Sequence, residues 1–125
     1  MLISINMGQN FQPGDFLAFQ LEAGFALLRL LHIDENDGET TWHLAGYSEM
    51  FPDIDSAEAA IASGAKMQIS SGHMALTTRA FESTQVARLA NAGLTESELS
   101  QFNEWKKDPD RTVSDRSVRL LLGLR

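Results

Sequence analysis

The chain has 125 residues and no cysteine, so it is long enough for one globular core and contains neither disulfides nor thiolate ligands for zinc. Its formal net charge is -7, and no stretch approaches the roughly 18 apolar residues that a membrane-spanning helix needs. The first residues lack a basic flank and a sustained apolar run, so we expect no secretory signal and a cytoplasmic location. We predict one domain over residues 1–125, with no membrane partner.

Acidic residues are concentrated in the first half of the chain. Residues 1–65 contain ten acidic residues and one basic residue, Arg29, whereas residues 101–125 contain six basic and four acidic residues. An acidic surface repels nucleic acid and attracts basic proteins. We therefore expect no nucleic-acid partner, and we expect a protein partner to be basic. The alternative is that the acidic surface only keeps the protein soluble.

Three strands are predicted before residue 50. Pro13 and Gly14 suit the centre of a type II turn, and residues 16–22 then have the composition of a strand. Residues 25–33 form an apolar run typical of a strand that is covered on both faces. Residues 40–47 are rich in β-branched and aromatic side chains. Because short turns separate these segments, they predict a meander.

The middle of the chain is predicted less sharply. Residues 55–58 have the spacing of a capping box, so a short helix is expected to run from there to Ser63. Residues 66–69 and 73–77 form either one interrupted strand or two strands. Residues 84–92 fit a helix or a strand, and we favour a strand because the segment is short.

Two helices are predicted at the C-terminal end. Thr95 and Glu98 have capping-box spacing and begin a helix that ends at Lys107, with its apolar residues at helical intervals. Ser114 is expected to cap a last helix whose inward-facing residues are Val118, Leu121 and Leu122. The whole pattern predicts an α+β fold: a bent antiparallel sheet or a partly open SH3-like barrel, with one inserted short helix and C-terminal helices.

The pair Asp37 and Gly38 predicts a two-residue type I′ turn, because both central residues of that turn require positive φ. Counting outward from this turn places His32 opposite His43 and puts Asp34 on the same sheet face. Two imidazoles and a carboxylate suit a divalent metal ion or a proton relay. Alternatively, the two rings are partly exposed and hydrogen-bond to their neighbours.

No complete catalytic or cofactor motif is present. The acidic loop that begins at Asp34 is not an EF-hand, because Gly38 comes one position too early and Ala45 stands where the bidentate Glu is required. Ser71 and His73 lack a local orienting acid and an oxyanion hole. We therefore expect no cofactor. A protein without enzymatic activity is the favoured interpretation, and an enzyme is the alternative.

Part of the chain resembles known bacterial families. The Gly-His strand at residues 71–77, followed by Phe81, residues 94–99 and Trp105, resembles the pattern of a family of uncharacterised bacterial domains over about residues 47–105. The opening at residues 13–19 looks like the first strand of immunity protein 26-type domains, which are thought to neutralise toxins from neighbouring bacteria. Neither resemblance supplies functional residues, but the second implies a toxin-neutralising role.

Three function classes follow. The first is a non-enzymatic interaction module whose acidic β half binds a basic partner through Glu35, Asp37 and Glu39. The second is a small metal-dependent enzyme or metal sensor built on His32, His43 and Asp34. The third is an accessory subunit whose arginine-bearing C-terminal helix packs on a larger assembly.

Overall fold

The structure, a computed structural model, describes residues 10–123. This part of the chain contains strands and helices in one α+β arrangement, which confirms the predicted fold class. In chain order the elements are β1 (Asp15–Leu21), β2 (Gly24–Asn36), β3 (Glu39–Phe51), α1 (Ile54–Ala62), β4 (Ile69–Thr77), α2 (Thr78–Thr84), β5 (Ala87–Asn91), α3 (Glu96–Lys107) and α4 (Val118–Leu122).

The five strands form one antiparallel sheet in the order β4-β3-β2-β1-β5. The sheet is open, because β4 and β5 lie at opposite edges, and this agrees with the predicted unclosed sheet. β2 and β3 form a long hairpin whose last pair is Asn36 with Glu39. Its two loop residues have the positive φ angles of a type I′ turn, 53° at Asp37 and 81° at Gly38. The predicted meander and its turn are therefore confirmed.

Both faces of the sheet are covered, as the apolar run in β2 predicted. One face carries a cluster that includes Leu28, Leu30 and Leu44, and Phe81 of α2 and Val118 of α4 pack on it. The opposite face holds two smaller clusters. Ala57 of α1 belongs to the first of these, and Phe102 of α3 packs against Leu31 and Ala45 in the second. The second small cluster places α3 beside the histidines described below.

A β-bulge divides the long hairpin. Leu30 pairs with Leu44, but His32 pairs with His43, so β2 contains one residue more than β3 between these two pairs. The extra residue is Leu31, and it packs on the same face as α3. Because strand side chains alternate between the faces, the bulge changes which face each later residue of β2 occupies.

A buried arginine fixes the start of α3. Arg29, the basic residue of the acidic half, is only 4 % exposed. Its Nη1 donates to Glu98 Oε2 at 2.8 Å, and Glu98 also completes the capping box with Thr95. The remaining guanidinium hydrogen bonds go to backbone carbonyls of Gly14, Ala92 and Gly93. The guanidinium thus joins β2 to the turn before β1 and to the loop before α3.

Several predicted elements agree with the structure. The segment at residues 84–92 contains the strand β5. The predicted strand at residues 73–77 is part of β4, which continues back to Ile69, whereas residues 66–68 of the other candidate are not in a strand. The capping box at Thr95 and the helix to Lys107 are also present. In each case the local pattern and the packing favour the same conformation.

Other details were wrong. α1 begins two residues earlier than predicted, because Asp53 rather than Asp55 caps it by accepting from Ser56 N. Helix α2 was not predicted at all. Its cap, Thr77, is the last residue of β4 and accepts from Ala80 N, so strand and helix follow each other without a loop.

The C-terminal helix also differs from the prediction. Ser117, not Ser114, caps α4, and Leu121 is 38 % exposed rather than turned inward. Ser114 instead bridges to the edge of β4, where its N–H donates to the carbonyl of Ala75. The backbone N–H of Ser114 is therefore paired with the sheet edge, and α4 begins only after Ser117.

Candidate functional site

All three histidines of the chain meet on the α3 side of the sheet. His32 lies on β2, His43 on β3 and His73 on β4. The predicted pairing of His32 with His43 is confirmed, and so is the pairing of Asp34 with Thr41. His73 was not predicted to join them, because the pairing of β3 with β4 depends on a register that no turn motif sets.

Hydrogen bonds connect these side chains in one chain of groups. The Nε2 atom of His43 lies 2.8 Å from Asp34 Oδ2, and its Nδ1 atom lies 2.9 Å from His73 Nε2. The other oxygen of Asp34 lies 3.0 Å from His32 Nε2. Both ring nitrogens of His43 are therefore occupied, and Asp34 bridges two histidines. We call Asp34, His43 and His73 the relay.

Aromatic side chains of α3 cover the relay. The ring centroids of Phe102 and Trp105 lie 4.6 and 4.8 Å from that of His43, which has no exposed surface. The His32 side chain remains 45 % exposed. The alternative of two partly exposed rings is thus right for His32 and wrong for His43, because α3 was not expected to pack over this face.

Burial favours the neutral form of the two inner histidines. Burial lowers the pKa of His43, against the opposing effect of the Asp34 carboxylate. Burial also lowers the pKa of His73 to about 4, helped by the charge that His43 would carry. Both rings are therefore neutral near pH 7.

Neutral rings allow one assignment of the protons. A carboxylate can only accept, so Nε2 of His43 must carry the proton that is donated to Asp34. Nδ1 of His43 then carries a lone pair and accepts a hydrogen bond from the Nε2–H of His73. It follows that Nδ1 of His73 carries the free lone pair of the relay.

The predicted metal set is used differently in this geometry. Within residues 10–123, no group of three or more His, Cys, Asp or Glu side chains is arranged to hold a metal ion. His32, His43 and Asp34 hydrogen-bond to one another or to His73 instead. Metal binding stays a prediction, and titration calorimetry with zinc, nickel and manganese tests it. No heat of binding from any of the three would end it.

An open groove lies beside His73. One part has a volume of about 410 Å³ and is lined by His73, Gln101, Glu104, Trp105, Lys107 and Asp108. A second part, of about 320 Å³, shares His73 and Trp105 and adds hydroxyl groups of Ser71, Thr112 and Ser114. A methyl group at Gly72 would overlap the carboxamide of Gln101, so glycine at that position lets this amide lie next to His73.

The acidic tip, which consists of Glu35, Asp37 and Glu39, lies at the end of the same hairpin. All three side chains are exposed. The pairing of β1 with β2 ends at Arg29, and that of β4 with β3 ends at Thr41, so the tip extends past both neighbouring strands. No ion pair involving the tip occurs in the part of the chain that the structure describes.

Helices of the described segment are all too short or too polar to cross a membrane.

Comparison with known proteins leaves the two resemblances to bacterial families untested. Comparisons with protein-family models, with curated protein sequences and with solved structures gave no match.

Proposed function

We propose that this protein is an interaction module that binds a basic protein through the acidic tip, a binding role that itself requires no catalysis. The observation that supports the proposal most is the extension of the tip past the pairing of β1 and β4, with three exposed carboxylates that form no ion pair among the described residues. Lys106 and Arg111 line the same pocket as Glu35 but are not within ion-pair distance of it. Exposed charges that are not used in ion pairs within the chain are available to a partner.

The charge of the whole chain supports the same proposal. The net charge of -7 gives a long-range attraction for cations, and the protruding hairpin concentrates part of it at one place. Electrostatic complementarity of this kind speeds association and weakens as salt increases. Toxin neutralisation is the most specific form of the proposal, since the resemblance at residues 13–19 implies it.

Charge reversal at the tip tests the proposal. The variant E35K/D37K/E39K is expected to weaken binding of a fluorescent decalysine peptide about tenfold at low salt, because three attractive charges become repulsive. Fluorescence anisotropy measures the affinity at several salt concentrations. The difference between variant and wild type is expected to shrink as the Debye length falls to about 10 Å near 0.1 M salt.

A matched variant separates the tip from net charge. E22K/E58K/E82K makes the same change in charge at three exposed positions away from the tip. It is expected to weaken binding much less. Equal losses in both variants would mean that the peptide senses only the total charge, and the acidic tip would then be rejected as the binding surface.

The third function class has its own structural feature. Leu120 of α4 is 70 % exposed, and Arg119 Nη2 donates to the carbonyl of Gln20. The arginine therefore helps attach α4 to β1. One of the cationic groups that was expected to contact a larger assembly thus already has a partner within the chain. The accessory-subunit role stays a prediction.

A further inference from the structure

We propose that the relay makes His73 a general base toward a small carbonyl compound bound in the groove beside it. His73 would touch the reacting water, while His43 and Asp34 would act as positioning residues. This inference concerns a different part of the surface from the acidic tip and is independent of the interaction proposal.

The first support is the access of one ring nitrogen. Nδ1 of His73 makes no hydrogen bond to the described residues, whereas Nε2 is bonded to His43. No buried side-chain nitrogen or oxygen of the described residues lacks a partner. Among residues 10–123, Nδ1 of His73 is therefore accessible, and the ring lines the groove. A free lone pair at a groove is what a general base requires.

The second support is the destination of the proton. When Nδ1 of His73 accepts a proton, its Nε2 proton can pass to Nδ1 of His43 across 2.9 Å. The positive charge then lies on His43, next to the Asp34 carboxylate at 2.8 Å. In a dry interior this ion pair is much stronger than it is in water. His43 has no exposed surface, so the Asp34 carboxylate is the group that offsets the cost of burying this charge.

The lining of the groove indicates the class of compound. The lining of this part includes two acidic residues, Glu104 and Asp108, and a single lysine, Lys107, so it contains no cluster of basic groups that would select a phosphate. Trp105 offers a flat ring, and the amide of Gln101 and the hydroxyl of Ser114 offer hydrogen bonds. These groups suit a small uncharged compound with a flat face and a carbonyl group, such as an aryl ester.

For the probe p-nitrophenyl acetate, the step is hydrolysis. Water oxygen bonds to the acetyl carbon, while Nδ1 of His73 takes one of the water protons. The ester C–O bond breaks, p-nitrophenolate leaves with the electron pair, and acetic acid forms and ionises. The proton held by the relay returns to solvent, so the protein is unchanged.

The protonation pattern can be tested without any ligand. Long-range ¹H–¹⁵N spectra at pH 7 distinguish the two neutral tautomers of each ring. We expect the proton on Nε2 in both His43 and His73. A proton on Nδ1 of His73 would remove the lone pair from the groove and overturn the proposal.

The reaction is tested by p-nitrophenolate release at pH 7. H73Q is expected to lose at least about tenfold of the acceleration over buffer, because general-base catalysis typically contributes about 10²–10⁴. D34N is expected to lose a comparable factor, although it leaves His73 in place. K66A, which changes an exposed residue outside the groove, is the control and is expected to keep the full rate.

Asp34 requires a readout that loss of structure would not produce. In D34N the His43 spectrum is expected to show a mixture of tautomers, because the amide of asparagine can donate as well as accept. D34E is expected to restore the single tautomer and part of the rate. A wild-type rate equal to that of H73Q, or a D34N variant with unchanged tautomer and rate, would overturn the proposal.

Discussion

Replacing Arg29 with alanine is expected to lower the free energy of unfolding by about 3 to 5 kcal/mol. The change removes a buried guanidinium from Glu98, and it leaves three carbonyls, those of Gly14, Ala92 and Gly93, without this donor. A buried polar group without a partner costs about 1 to 3 kcal/mol, so these losses together give a large effect. Urea denaturation followed by circular dichroism measures it.

An exposed ion pair of the same chemistry provides the comparison. Arg79 pairs with Asp115, but the Arg79 side chain is 82 % exposed. R79A is expected to cost less than about 1 kcal/mol, because solvent screens the pair and competes for its hydrogen bonds. If R29A and R79A cost the same, the guanidinium of Arg29 does not hold β2 and α3 together.

Acidification from pH 7 to pH 4 is expected to remove up to about 3 kcal/mol of stability through His73 alone. The pKa of this ring falls from 6.5 to about 4 on folding, and each pKa unit corresponds to about 1.4 kcal/mol. The unfolded chain therefore binds more protons between these two values, so stability is complete above pH 6.5 and is lost as the pH falls toward 4.

The same ring can be removed to isolate its contribution. H73Q keeps an N–H donor for His43 but does not titrate, so its stability is expected to depend less on pH between 6.5 and 4 than that of the wild type. His43 faces this ring from β3, and Glu104, Lys107 and Asp108 share its groove. Urea denaturation at several pH values measures both proteins, and parallel curves would contradict the assignment to His73.

The end of the β2–β3 hairpin that contains the turn could be predicted from the sequence, because the residues that determine it are neighbours in the chain. Asp37 and Gly38 set the turn, and the turn sets the pairing of His32 with His43. The helix that begins at Glu96 was predictable for the same reason, since Thr95 and Glu98 form its cap. Where a local motif and the tertiary packing favour the same conformation, the sequence alone predicts that conformation.

The rest of the site depends on contacts between distant residues. His73 reaches His43 only through the register of β4, which shifts twice along its pairing with β3. Arg29 and Glu98 are 69 residues apart in the sequence. The position of Arg29 in an otherwise acidic segment therefore did not indicate which carboxylate it would pair with. Helix α2 was missed because Thr77 ends a strand and caps a helix at once.

The bulge at Leu31 places two successive residues of β2, Leu31 and His32, on the α3 side of the sheet. If Leu31 were deleted, Leu30 and His32 would become neighbours and would still pair with Leu44 and His43. Because side chains alternate along a strand, His32 and Asp34 would keep their face, whereas Phe102 would lose its contact with Leu31. The extra residue therefore adds an apolar contact beneath α3 without disturbing the pairing that the turn sets beyond it.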